Sequence, residues 1–197
     1  MNHSSPIDPA AFTYVRTVVS IIVGLSISRL LTGLARFVQH PRQQKIFPAH
    51  IAWVFFMLIY VIHFWWWEFR LENVRWTFAI YCFVALYASV LFFSCTLLFP
   101  DTIGEYDGFS DYFISRRAWF FGLLIAILIL DIVDSSIKGS YYLASLGIAY
   151  WLRIFLYMLA SIFAIIVSER RFHFGLSVIA LIGEIIWAVV FYDSITP

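Results

Sequence analysis

Glu184 lies near the centre of one apolar run, 174–192, and Arg153 near the middle of the run before it, 141–167. An ionised carboxylate at mid-bilayer costs at least about 2.5 kcal/mol unless it is paired or hydrated. Arg153, at comparable depth, is the first candidate partner, and Arg29, inside the first apolar run, is the second. Tyr150, Tyr157 and Ser161 flank Arg153 at helical spacing. Ser177, Ala180, Glu184 and Trp187 share one face of the last run, where Gly183 permits close helix approach. Glu184, Arg153, Arg29, Tyr150 and Tyr157 together suit a polar core that passes protons or small ions. The competing reading is a buried ion pair that fixes helix register.

A second group lies toward the end of the fourth apolar run. Asp131 and Asp134 are one turn apart, so both carboxylates face the same space. In a dry pocket their repulsion favours holding a proton or a cation. His63 and Arg16 fall at the same depth, and the four residues form a candidate outer vestibule. The bland alternative is a wet helix end with Asp134 paired to Lys138, four residues on. His50 and His63, thirteen residues apart on one helix, allow a haem b reading, although each haem needs a second ligand from elsewhere. Apart from that alternative, no cofactor and no metal site is expected.

Several chemistries are absent from the sequence. It has no HExxH, no GxSG and no glycine-rich phosphate loop, and its short connections leave little soluble surface for catalysis. The expectation is therefore a protein that is not an enzyme. Cys82 and Cys95 lie about 20 Å apart along one helix and cannot pair. A net charge of +1 lacks the concentrated basic face that nucleic acid requires.

The elements that must position these residues follow from composition. Of 197 residues, 62% are apolar, 20% aromatic and only 13% charged, far from the globular mix. At some twenty residues per crossing, the chain holds about six membrane spans and no separate soluble domain. The fold class is an all-α polytopic helical bundle in a single transmembrane domain, 1–197. The spans are expected at 13–36, 48–67, 76–99, 118–137, 141–167 and 174–192. The first is read as retained, because MNHSSPIDPAAF lacks a positive n-region and a cleavage site.

On span one, Arg16, Ser20, Gly24, Ser28 and Thr32 recur every fourth residue as a polar, small-residue packing stripe. Such a face is expected to avoid lipid and to gather the other five spans, or a second copy, around it. Trp65, Trp66 and Trp67 mark an interface at the end of span two. The long connection before span four is expected to carry a surface helix with Tyr106, Phe109, Tyr112 and Phe113 against headgroups. Span five, longer than the bilayer needs, is expected to tilt. No proline interrupts a span and no internal repeat is evident, which argues against a broken-helix carrier.

Lys and Arg in the connections set the orientation. Arg36, Arg42, Lys45, Arg116, Arg117, Arg170 and Arg171 fall on one side. Arg70, Arg75, Lys138 and Arg16 fall on the other, which puts both termini outside, in the plasma membrane, or the inner membrane of a bacterium. The functional expectation is an oligomeric membrane protein that conducts protons or small ions. A non-conducting scaffold subunit of a larger complex is the alternative.

Overall fold

The computed structural model describes residues 9–40 and 46–190, without the side chains of residues 9–11 and 73. Arg42, Lys45 and the last two positions of the expected sixth span lie outside the described residues. Seven helices follow one another: α1 (Pro9–Gln39), α2 (Pro48–Trp67), α3 (Phe78–Leu98), α4 (Phe109–Ile137), α5 (Ser140–Ser145), α6 (Gly147–Ile166) and α7 (Arg170–Val190). A 3-10 turn, Glu68–Asn73, continues α2. No strand occurs among the described residues. All but α5 are long and apolar enough to cross a membrane, giving six candidate spans and an all-α bundle.

Local chemistry sets the boundaries. Pro48 opens α2 at a position whose N–H needs no helical partner. Thr77 caps α3, its Oγ1 accepting from the Ile80 N–H at 3.3 Å. Gly139 (φ 117°) and Gly147 (φ 67°) take left-handed conformations that a side chain disfavours. Gly139 separates α5 from α4, and Gly147 cuts the expected fifth span in two: α5 is a short separate helix and only α6 is long enough to cross. Its length matches the bilayer, so the excess length that predicted a tilt is gone.

α2 is the central helix, packed against α1, α3, α4 and α7, while α6 lies on α4. Its Trp53, Val54, Phe56, Met57 and Val61 are almost fully enclosed. α1 lies mainly along α3 and presents Val15, Val19, Val23, Ser26, Leu30, Gly33 and Phe37 inward. The expected packing stripe is therefore not inside the protomer. Gly24, Ser28 and Thr32 are exposed and Ser20 is half-buried. The valine face offers more atoms for dispersion contact, and Gly33 lets the Phe99 ring lie directly on the helix backbone.

The expected surface helix before span four is also corrected. It is the first two turns of α4, with Phe109, Tyr112 and Phe113 buried. The Phe109 ring lies 4.8 Å from both Phe37 and His50, and Tyr112 donates to the Leu97 carbonyl at 2.6 Å. These aromatics join the protein core instead of the headgroups, because one helical face collects all three.

Candidate functional site

The end of the bundle where α2, α4 and α7 finish and α3 and α6 begin holds three groups of buried polar side chains around one cavity. Lys138, just past α4, donates to Glu68 Oε1 at 3.0 Å and to Asp134 Oδ2 at 2.5 Å. All three side chains are at most 7% exposed. One turn further in on α4, Asp131 Oδ1 accepts from the Tyr87 hydroxyl at 3.4 Å, and Tyr87 meets Tyr60 at 3.3 Å. Arg153 of α6 then donates to Glu184 Oε2 of α7 at 2.9 Å. His63 Nδ1 stands 3.8 Å from the other Glu184 oxygen.

Helix periodicity explains why these groups meet. Asp131, Asp134 and Lys138 follow one another at three- and four-residue steps, so they share the α4 face turned to α2. Ser177, Ala180, Glu184 and Trp187 form the buried face of α7, as their spacing predicts. Arg153 is wrapped by aromatic faces, with Tyr60, Tyr157 and Trp187 centred 5.7, 5.4 and 4.8 Å from its guanidinium carbon. Such faces favour a cation and exclude lipid from it. Tyr157 donates to the Ala180 carbonyl at 3.1 Å, and Tyr150 reaches Ser135 at 3.4 Å.

The two expected groups are thus one. Asp131, Asp134 and His63 adjoin Arg153 and Glu184 around a shared cavity of about 20 Å³, room for roughly one water. Asp134 does pair with Lys138, but the pair is dry where the bland reading had a wet helix end. Burial of Glu68 and Lys138 is what the sequence concealed. Glu68 follows three tryptophans and opens a charged connection, so it reads as a solvated link; Tyr60 and Tyr87 carry no pattern that separates them from packing aromatics.

Arg16 and Arg29 do not belong to the cluster. The Arg16 guanidinium lies 3.9 Å over Phe69 and 5.3 Å from Trp65, stacked at the edge of α2. Arg29 sits at the opposite end of the bundle, where it donates to the Phe99 carbonyl at 2.9 Å and pairs with Asp101. The rotation of α1 that buries its valine face turns Arg29 toward the end of α3. The hydrogen bond from Arg29, reinforced by its charge, holds the exposed Asp101 carboxyl below its ordinary value.

Tyr142 of α5 covers the outer side of Lys138, its ring centre 6.0 Å from Nζ and 5.5 Å from the Arg70 guanidinium carbon. Burial pushes its phenol up to about 12, so it stays a neutral cap.

His50, one of the two residues of the haem reading, is enclosed by protein. His50 Nε2 is 2.6 Å from the Leu98 carbonyl, and Phe37, Phe99, Phe109 and Phe113 enclose its ring. That enclosure leaves no open face for a macrocycle. Among the described residues, no three His, Cys, Asp or Glu side chains gather in a metal-binding arrangement. Comparison with protein-family models, curated proteins and solved structures finds no match for this chain.

Proposed function

We propose that this is an integral membrane protein that moves protons along the buried polar cluster. The supporting observation is that three sets of paired side chains, Glu68–Lys138–Asp134, Asp131–Tyr87–Tyr60 and Arg153–Glu184 with His63, line one small cavity between the helices. Carboxyl, phenol and imidazole groups exchange protons without changing shape, and burial near the end of the bundle puts them within reach of one aqueous face. A purely structural ion pair needs one cation and one anion; this site gathers seven ionisable groups besides the tyrosines.

The orientation with termini outside gains support from the burial of Lys138. Removing it from the loop count leaves Arg16, Arg70 and Arg75 against seven basic residues on the other side. On that reading the cluster opens toward the outside, and the membrane is the plasma membrane.

We further propose a homo-oligomer, on a separate observation. α6 and α7 splay to leave an apolar groove of about 560 Å³, with Ala149, Ala160, Ala180 and Gly183 among its lining. α1 presents Gly24, Ser28 and Thr32 outward. Small residues on both surfaces suit close helix contact, and two different surfaces meeting head to tail close into a ring. This groove is also what supports the scaffold alternative, with a partner helix in place of the second copy.

Reconstitution into liposomes under a pH gradient, read by an entrapped pH dye, tests the proposal. Gradient-driven acidification above that of empty vesicles is expected. Absence of flux under any combination of pH and potential favours the scaffold.

A further inference from the structure

Four carboxylates, Glu68, Asp131, Asp134 and Glu184, are 7% exposed or less and line one small cavity. The fixed cations facing them are Lys138 and Arg153. Around the cavity, α2 adds His63 and Tyr60, α3 adds Tyr87, α6 adds Tyr150 and Tyr157, and α5 adds Tyr142 over Lys138, with Arg70 against that ring. Arg153 pairs with Glu184 through Oε2. His63 places Nδ1 3.8 Å from Glu184 and leaves Nε2 without an acceptor, and it is not one of the fixed cations. With all four carboxyls ionised, two negative charges would stand uncompensated beside a space for about one water. Burial without hydration does not tolerate that.

Each of the four leaves one oxygen buried without a hydrogen-bond partner, Glu68 Oε2, Asp131 Oδ2, Asp134 Oδ1 and Glu184 Oε1, so the placement of the two cations decides which carboxyls are in excess. Lys138 neutralises one of Glu68 and Asp134, which it bonds together, whereas Asp131 has the phenols of Tyr87 and Tyr150 beside it and no cation in ion-pair contact. We infer that the cluster carries two exchangeable protons at neutral pH, one on Asp131 and one shared between Glu68 and Asp134 across the Lys138 ammonium. This deepens the proton-pathway reading and rests on it for its purpose: the cluster is the pathway's loaded station. Loading forms an O–H bond on a carboxylate oxygen; release breaks it and leaves the carboxylate, with no electron transferred. Among the described residues, no three His, Cys, Asp or Glu side chains are arranged to hold a metal cation as the counter-charge instead.

Infrared spectroscopy of the full chain in phosphatidylcholine vesicles tests the inference. The other carboxyls among the described residues, Glu72, Asp101, Glu105, Asp107, Asp111 and Glu169, are exposed to solvent and serve as controls. Two protonated C=O bands are expected, both shifting in D2O. Asp131→Asn and Glu68→Gln each remove one, and Asp101→Asn removes none. Asp131→Glu, which keeps the group, shifts its band without deleting it and serves should Asp131→Asn fail to fold. No protonated band at neutral pH overturns the inference, as do bands abolished by added sodium. Bands without liposome flux would leave the two-proton site standing and refute the pathway; flux without bands would do the reverse.

Discussion

Asp131 and Asp134 sit one turn apart on α4 with both carboxyls buried, yet only Asp134 touches a cation. Lys138 holds Asp134 at 2.5 Å, whereas Asp131 has a phenol at 3.4 Å and an oxygen with no partner. A single helix face therefore presents a compensated carboxylate beside an uncompensated one. That asymmetry separates this cluster from a plain structural salt bridge, in which each anion finds its own counter-ion.

Lys138→Met tests the compensated half. Glu68 and Asp134 would lose their only cation while remaining buried, which destabilises by about 3–5 kcal/mol when the partner charge is left behind. The loss grows as pH rises, because acid protonates the stranded carboxyls and relieves them. Adding Asp134→Asn to the variant should recover much of the stability. Thermal unfolding in detergent micelles across a pH series reads both effects.

Glu184→Gln tests the charge balance from a distance. It frees the Arg153 guanidinium to compensate another anion, and Asp131 is the nearest carboxyl in excess. The Asp131 infrared band should then disappear although Asp131 itself is intact. A band that persists unchanged means that Arg153 does not sense Asp131.

At Gly33, a Cβ would lie 2.3 Å from the buried Phe99 ring. Gly33→Ala forces that ring away from Phe37 and His50, an overpacking cost of about 1–3 kcal/mol. Gly122→Ala, on the exposed face of α4 with nothing near its Cβ, should not lower stability. Unfolding midpoints of the two variants give the comparison.

Asp101 is depressed by Arg29, so its contribution is present above the ordinary aspartate value and is lost as pH falls through the lowered folded value. Asp101 is 85% exposed and salt screens the pair, so the effect is small. Asp101→Asn should flatten the acid limb of the stability profile and leave the neutral region nearly unchanged. A pH titration of the unfolding midpoint at low ionic strength measures it.

What the sequence made legible follows bilayer physics. Six apolar runs of membrane length appear as six helices, and Glu184 with Arg153 was identifiable because a charge in such a run demands a partner. What it hid depends on rotation and on tertiary cover. Nothing in the spacing of α1 says that Val15, Val19 and Val23 outrank Ser20, Gly24 and Ser28 as the inward face, and that choice carries Arg29 to Asp101 instead of Glu184. Glu68 and Lys138 look like connection residues because they flank the spans; only the folding of α5 and Tyr142 over them makes them dry. Gly147 breaks an unbroken apolar run, and its left-handed φ has no signature beyond being glycine.

The most direct measurement is the rate of dye-reported acidification in liposomes carrying Asp131→Asn, beside the wild-type chain at equal incorporation. Wild-type vesicles should acidify, and the variant should do so roughly a hundredfold more slowly, the scale expected when a positioned proton-transfer group is removed. Equal rates in a folded Asp131→Asn protein would contradict the assignment of the proton route to this cluster.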